Sequence, residues 1–176
     1  TGFIKQAGED DLIFNLISGG GSAVMCSPYT GTAGIPITLG EKQAVSKLLL
    51  ACGADIHEIN CIRKHLSNVK GGRLAELMYP AHSINLILSD VVGDNLDAIA
   101  SGATVPDSTT FSDVMEIVRR YDLEKQLPPV VMELIRAGFE GRIPDTPKPG
   151  SEVFKSALNI LIGTNHHALL AAGEEA

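Results

Sequence analysis

The residues able to do chemistry gather at a few points along the chain. Ser18-Gly19-Gly20-Gly21-Ser22 closes the apolar run LIFNLI at 12–17. Three successive residues without a Cβ let bare backbone N–H groups approach an anion, and Ser18 and Ser22 add hydroxyls. The same glycines would also serve as a plain strand-to-loop turn. The stretch is neither a Walker A loop, since no G-K-[ST] follows, nor a G-x-G-x-x-G fingerprint. Arg63-Lys64-His65 and Lys70-Gly71-Gly72-Arg73 concentrate cations in a chain of net charge −7. On one continuous helix Arg63 and Lys70 would share a face with Lys64 beside them, suiting a phosphate or carboxylate partner. The competing reading is a solvated helix end, where the macrodipole favours cations.

Asp90, Asp94 and Asp97 lie in SDVVGDNLD. Clustered carboxylates suit Mg²⁺, which keeps waters and substrate phosphates in its shell, or one of them acts as a base toward a hydroxyl. Aspartates also form turns by bonding their own backbone. We assign Asp90 to function and Asp97 to a turn. His166-His167 lack the i, i+4 spacing of a two-histidine metal site and read as surface at a helix start. Asn165, just before them, reads as a helix cap or a ligand contact. No G-x-S-x-G elbow surrounds Ser18, Ser22 or Ser89, which excludes the usual serine-hydrolase arrangement.

These residues need elements to hold them. Leu12–Ile17, Ile84–Leu88 and Leu158–Ile162 are short, continuous Ile- and Leu-rich runs, the pattern of strands buried on both faces of a parallel sheet. Thr38 and Glu41 have capping-box spacing and predict a helix to about Ala51, before Cys52-Gly53. Asp55 and Glu58 open a second helix with Ile56, Ile59, Ile62, Leu66 and Val69 on one apolar stripe, ending at Gly71-Gly72. A short helix at Arg73–Tyr79, one over about 110–121 and one from Pro128-Pro129 to Gly138 follow, and Asn165 caps a last one. FEGRIPDTPKPG at 139–150 is too rich in proline for either regular element. Strands alternating with helices make an α/β fold with a mostly parallel sheet. All three strands are followed by glycine and polar or acidic residues, and ligands of such sheets sit at the strands' carboxyl ends.

The 176 residues are 44% hydrophobic and 20% charged, enough for one globular domain over 1–176. A pI near 5.1 argues against a general nucleic-acid binder. No apolar run approaches a membrane span, and no signal-peptide pattern is present. Cys26, Cys52 and Cys61 form no C-x-x-C pair and are odd in number, which fits a reducing cytosol and makes a structural zinc site or disulfide framework a poor expectation. The chain starts close to a buried strand without Met and stops in the helix-like LLAAGEEA, so it is expected to be a piece of a longer polypeptide.

SGGGSAVMCSP, EKQAVSKLLLACGADIHEINCIRKHLSNVKGGRLAE, LILSDVVGDNLDAIASGATVPDSTTF, TPKPG and LIGTN occur in this order. Together they closely resemble the amino-terminal domain of glycerate 2-kinases of the MOFRL type. The resemblance implies a Rossmann-like sheet with helices on both faces, joined to a smaller second domain across a cleft. It implies ATP-dependent phosphorylation of the 2-hydroxyl of glycerate with Mg²⁺. Carried over, Ser18, Gly19, Gly20, Gly21 and Ser22 cradle phosphate. Arg63, Lys64, Lys70 and Arg73 supply cations, Asp90 or Asp94 binds metal or acts as base, and Asn165 contacts ligand.

The chain reads Ser101-Gly102-Ala103-Thr104 where such enzymes have S-G-P-T, which loosens a turn without removing a functional group. It also lacks the family's preceding segment, with its G-K-A lysine, and the glycine-rich carboxyl-terminal domain with a cleft-facing arginine. The expectation is therefore an incomplete site that binds anions weakly and turns over slowly or not at all. The rival reading is a non-catalytic α/β module for phosphorylated metabolites, and an open sheet edge or domain face offers a route to homo-oligomers.

Overall fold

The three Ile- and Leu-rich runs form strands β1 (Leu12–Ile17), β2 (His82–Leu88) and β3 (Ala157–Gly163) in a computed structural model that describes residues 4–31 and 34–175. They pair in the order β1-β2-β3, all parallel. Parallel neighbours need crossover connections, and helices supply them. Helices α1 (Gly21–Val24), α2 (Leu39–Cys52), α3 (Ile56–His65) and α4 (Arg73–Met78) lie between β1 and β2. Helices α5 (Phe111–Arg120) and α6 (Pro129–Phe139) lie between β2 and β3, and α7 (Asn165–Glu175) follows β3. Thr38 with Glu41 and Asp55 with Glu58 both close the capping boxes their spacing predicted. No helix among the described residues is long and apolar enough to cross a membrane.

Three expectations change. Helix α3 ends at His65 rather than at Gly71-Gly72, and Ile56 on its expected apolar stripe is exposed. The cause is local: Asn68 donates its backbone N–H to Ser27 O (3.0 Å) and its amide to Pro28 O (2.6 Å), pulling the chain out of the helix. Lys70 therefore does not share a helix with Arg63. Helix α7 is capped by Thr164, whose hydroxyl accepts from His167 N (3.3 Å), and not by Asn165. The strands are covered on one face alone among the described residues. Residues paired in register lie on the same face, so Phe14 and Leu158 flank Ile84, and Leu16 and Ile160 flank Leu86. This face is open, with Phe14 61% and Leu16 81% exposed.

The covered face carries a polar row. Asn15, Asn85 and Asn159 are in register, and Asn15 donates to Asn85 Oδ1 (2.7 Å) while Thr104 donates to Asn159 Oδ1 (2.6 Å). A one-residue slip would strand these amides against apolar groups, so the row pins the register. Ile13 on the same face packs with Leu74, Met78 and Ala103. The main core lies elsewhere, among α2, α3, α5 and α6, where Val45, Leu49, Ile62, Phe111, Val114, Leu134 and Ile135 are buried together.

Charged groups at the end of α3 join this helical body to the loops around the sheet. Lys64, 1% exposed, pairs with Asp97 and with the fully buried Asp107 (3.2 Å). Asp107 also accepts from Thr109 Oγ1 (2.7 Å) and Thr146 Oγ1 (2.9 Å). His65 places Nε2 2.7 Å from Asp145 Oδ1 and Nδ1 2.8 Å from Cys61 O. Burial opposes ionisation of both Asp107 and Asp145. Lys64 and Thr109 outweigh it at Asp107, and His65, Lys148 and the Phe111 N–H outweigh it at Asp145, so both carboxyls are held below the ordinary range.

Removing one member of a buried pair leaves the other charge uncompensated, so Lys64→Met should destabilise the fold by about 3–5 kcal/mol in urea titrations. Leu16→Lys on the open face should change stability by no more than about 0.5 kcal/mol. Carboxyls depressed in the folded state contribute stability in full above their unfolded value near about pH 4, begin to lose it below that value and have lost it once pH falls through their lower folded value. Melting temperature should therefore drop steeply below about pH 4, and Asp145→Asn should flatten part of that drop.

Candidate functional site

The turns that leave the three strands meet. A Cβ built on Gly19 would lie 2.3 Å from Asp90 Oδ2, so the turn after β1 and the turn after β2 approach to a distance that glycine alone allows. Asn165, after β3, donates its amide to Asp90 O (3.1 Å), and Ser89 N donates to Gly163 O (2.9 Å). Gly20 has φ 78°, a left-handed conformation that opens the turn into α1. No backbone acceptor takes up the N–H of Gly19, Gly20 or Ser22 among the described residues. These groups border a cavity of about 460 Å³ whose lining includes Ser18, Gly19, Gly20, Ser22, Arg63 and Asp90, together with Asn60, Asn95 and parts of the 56–57, 91–92 and 98–100 segments.

A second layer fixes that turn. Ser22 Oγ lies 2.9 Å from Ser101 Oγ, and the Ser101 hydroxyl donates to Asn60 Oδ1 (3.2 Å). Ser101 is fully buried, and Ala100, Ser101 and Gly102 all have positive φ. A non-glycine residue held there costs conformational energy, which the surrounding contacts must offset. Lys70 donates to Ser22 O (2.9 Å) from a position 1% exposed. Burial pushes the Lys70 ammonium down to about 8, and Lys42 and Arg63 add to the effect.

The structure separates the residues singled out in the sequence. Ser18, Gly19, Gly20, Ser22, Arg63 and Asp90 border the cavity, whereas Gly21, Lys64, Lys70, Arg73, Asp94 and Asn165 do not. Lys64 is committed to two carboxylates. Arg73 is buried, donating to Ser67 O (2.8 Å) and stacking over Tyr29 at 4.9 Å from the ring centre. Asp94 sits in a left-handed turn at φ 51°. Asp97, assigned to a turn, is instead a partner of Lys64. Among the described residues, no three His, Cys, Asp or Glu side chains gather into a metal-holding set. A magnesium ion here would rest on Asp90 and on oxygens brought by the ligand, a donor set that suits it. Asn60 and Ser101 are not found from the sequence, because nothing in its spacing brings α3 and the 98–102 loop to one turn.

Residues 1–136 match the model of a family described as a domain of unknown function, DUF4147. The chain is 45% identical over 173 residues to a glycerate 2-kinase of Pyrococcus horikoshii, covering 98% of this chain and 37% of that protein. It is 49% identical over 137 residues to an Agrobacterium vitis protein with the provisional name hydroxypyruvate reductase, covering 78% of this chain and 34% of that one. The crystal structure of a glycerate kinase from Thermotoga maritima superposes with a TM-score of 0.80 at 38% identity, over 99% of this chain and 39% of that chain. The chain thus spans little more than a third of the length of these relatives. With most of its residues matched by that model, the chain belongs to the DUF4147 domain family.

Proposed function

We propose that the chain is the amino-terminal part of a glycerate 2-kinase, which moves the γ-phosphoryl group of ATP to the 2-hydroxyl of glycerate and gives 2-phosphoglycerate. The observation that carries this reading is the meeting of Gly19, Asp90 and Arg63 at one cavity beyond the carboxyl ends of the strands. Phosphoryl transfer asks a protein mainly to position the reactants and neutralise charge. The unpaired N–H groups of Gly19, Gly20 and Ser22 donate to phosphate oxygens, and Arg63 faces the same space with a planar fork. Asp90 lies so close to Gly19 that a phosphate held there would meet a carboxylate. Asp90 would hold a Mg²⁺ ion brought with ATP, which would supply charge neutralisation there, and without metal Asp90 would instead accept the proton of the substrate hydroxyl. Lys70 and Ser101 hold Ser22 and with it the turn, and Lys64 fixes the loop that carries Asn95.

The remaining length of the relatives supplies the other wall of the cleft in this reading, and the open sheet face is where further chain belongs. The three cysteines are free, which fits the cytosolic placement the reading carries. The hydroxypyruvate reductase name is a rival, because hydroxypyruvate becomes glycerate by a hydride to its keto carbon and a proton to the oxygen of that carbon. Hydride transfer needs a nicotinamide site, and the turn after β1 lacks the G-x-G-x-x-G spacing that holds one.

The full-length polypeptide should release ADP with glycerate, ATP and Mg²⁺, form 2-phosphoglycerate, and leave NADH untouched when given hydroxypyruvate. Reduction of hydroxypyruvate without ADP release would overturn the reading, and phosphate binding without either reaction would favour a binding module. The 176-residue chain by itself should show no measurable turnover. Gly19→Ala, which pushes on the Asp90 carboxylate, should lower kcat/KM about 100-fold while leaving the melting temperature near that of the parent. Equal kcat/KM in that variant would remove the turn from the site.

A further inference from the structure

We infer that Lys42, Arg63 and Lys70 form one cation cluster behind the glycine turn that holds a phosphoryl group, with Lys42 contributing a buried ammonium that has no hydrogen-bond partner. The inference rests on the reading that this turn faces phosphate, and it adds a residue from a different helix to that site. Lys42 lies in the first turn of α2 and is 7% exposed. Its Nζ is buried and has no hydrogen-bond partner among the described residues. Buried polar atoms almost always find a partner, so an ammonium left without one marks a place where a partner arrives from outside.

Its neighbours point to the sign of that partner. Burial lowers Lys42 first, and Arg63 lowers it further, against an opposing effect of Cys26. Lys70 is lowered by the same surroundings, with Lys42 and Arg63 both acting on it. Among the described residues no carboxylate lies within ion-pair distance of either lysine, although Lys64 and Lys148 have such partners, and a thiol such as that of Cys26 is a weak acceptor. Arg63 has no ion-pair partner among the described residues, although other cations of the chain, such as Lys64 and Arg120, do have them. Three cations without an acid, in a protein of net charge −7, are held together against their own repulsion. Lys70 connects the cluster to the site by donating to Ser22 O at 2.9 Å, and Arg63 and Ser22 line the same cavity. A tetrahedral anion with two charges satisfies the orphaned ammonium, keeps it charged despite burial and relieves the repulsion. The phosphoryl group of a nucleotide and that of a phosphorylated product share this chemistry.

The test is calorimetric titration of the protein with inorganic phosphate, then with a non-hydrolysable ATP analogue and with 2-phosphoglycerate. Lys42→Met should weaken phosphate binding at least about tenfold, and Lys42→Arg should restore most of it. The melting temperature of Lys42→Met should equal or exceed that of the parent, since an uncompensated buried charge is removed. Which of the two organic ligands is weakened in parallel identifies the phosphoryl group that the cluster holds. If Gly19→Ala loses phosphate while Lys42→Met binds it like the parent, the cluster is overturned and the glycine-turn reading stands. If the parent protein binds none of the three ligands, both fall. Should Lys42→Met fail to fold, an unweakened Lys42→Gln variant with a normal circular-dichroism spectrum would overturn the proposal just as directly.

Discussion

The ammonium of Lys64 joins two bodies that otherwise have separate apolar cores. One body is the helical cluster of α2, α3, α5 and α6, and the other is the three-stranded sheet with α4 beneath it. Lys64 leaves the end of the helical body and is held by Asp97, from the loop after β2, and by Asp107, from the approach to α5. Backbone bonds run along the same seam, from Gly71 N to Ser101 O (3.0 Å), Gly72 N to Gly102 O (2.7 Å) and Leu74 N to Ala103 O (3.1 Å). A buried ion pair adds little net stability but penalises every arrangement in which one partner moves away. The candidate site lies along this seam, with the glycine turn contributed by the sheet and Arg63 by the helical body. Its geometry therefore depends on the joint more than on either core.

The glycine turn has two separate reasons to be glycine. At Gly19 the reason is space, since Asp90 occupies the position a side chain would need. At Gly20 it is conformation, since the backbone is left-handed and nothing stands near. The first links two strands' ends and the second turns the chain into α1. A single run of residues thereby brings an acid and free N–H groups to one cavity, the pairing that a metal-assisted transfer to a hydroxyl uses.

Much of this was legible in the sequence, for identifiable reasons. The strands were read from continuous Ile and Leu, the starts of α2 and α3 from capping boxes, and the α/β order from their alternation. The segment LSNVKGG misled because its apolar spacing continues a helix, whereas Ser67 and Asn68 bond to residues 27–30, which sequence spacing cannot show. The cations of that segment were legible as a group, but their roles were not. Lys64 and Arg63 are adjacent, yet one is sealed between carboxylates and the other faces the cavity. Burial on both faces was expected from the residue types of the strands, yet Phe14, Leu16 and Leu158 stand exposed, because continuous apolar composition does not tell which face finds a partner.

A phosphoryl group bound where the turns after the three strands meet would touch the backbone amides of the glycine turn. Amide chemical shifts of ¹⁵N-labelled protein, followed during titration with 2-phosphoglycerate, test it residue by residue. Gly19, Gly20 and Ser22 should move first and furthest, followed by the amides around Arg63 and Asp90. Unmoved signals at the glycine turn, with the largest changes instead near the charged surface at 119–125, would contradict it.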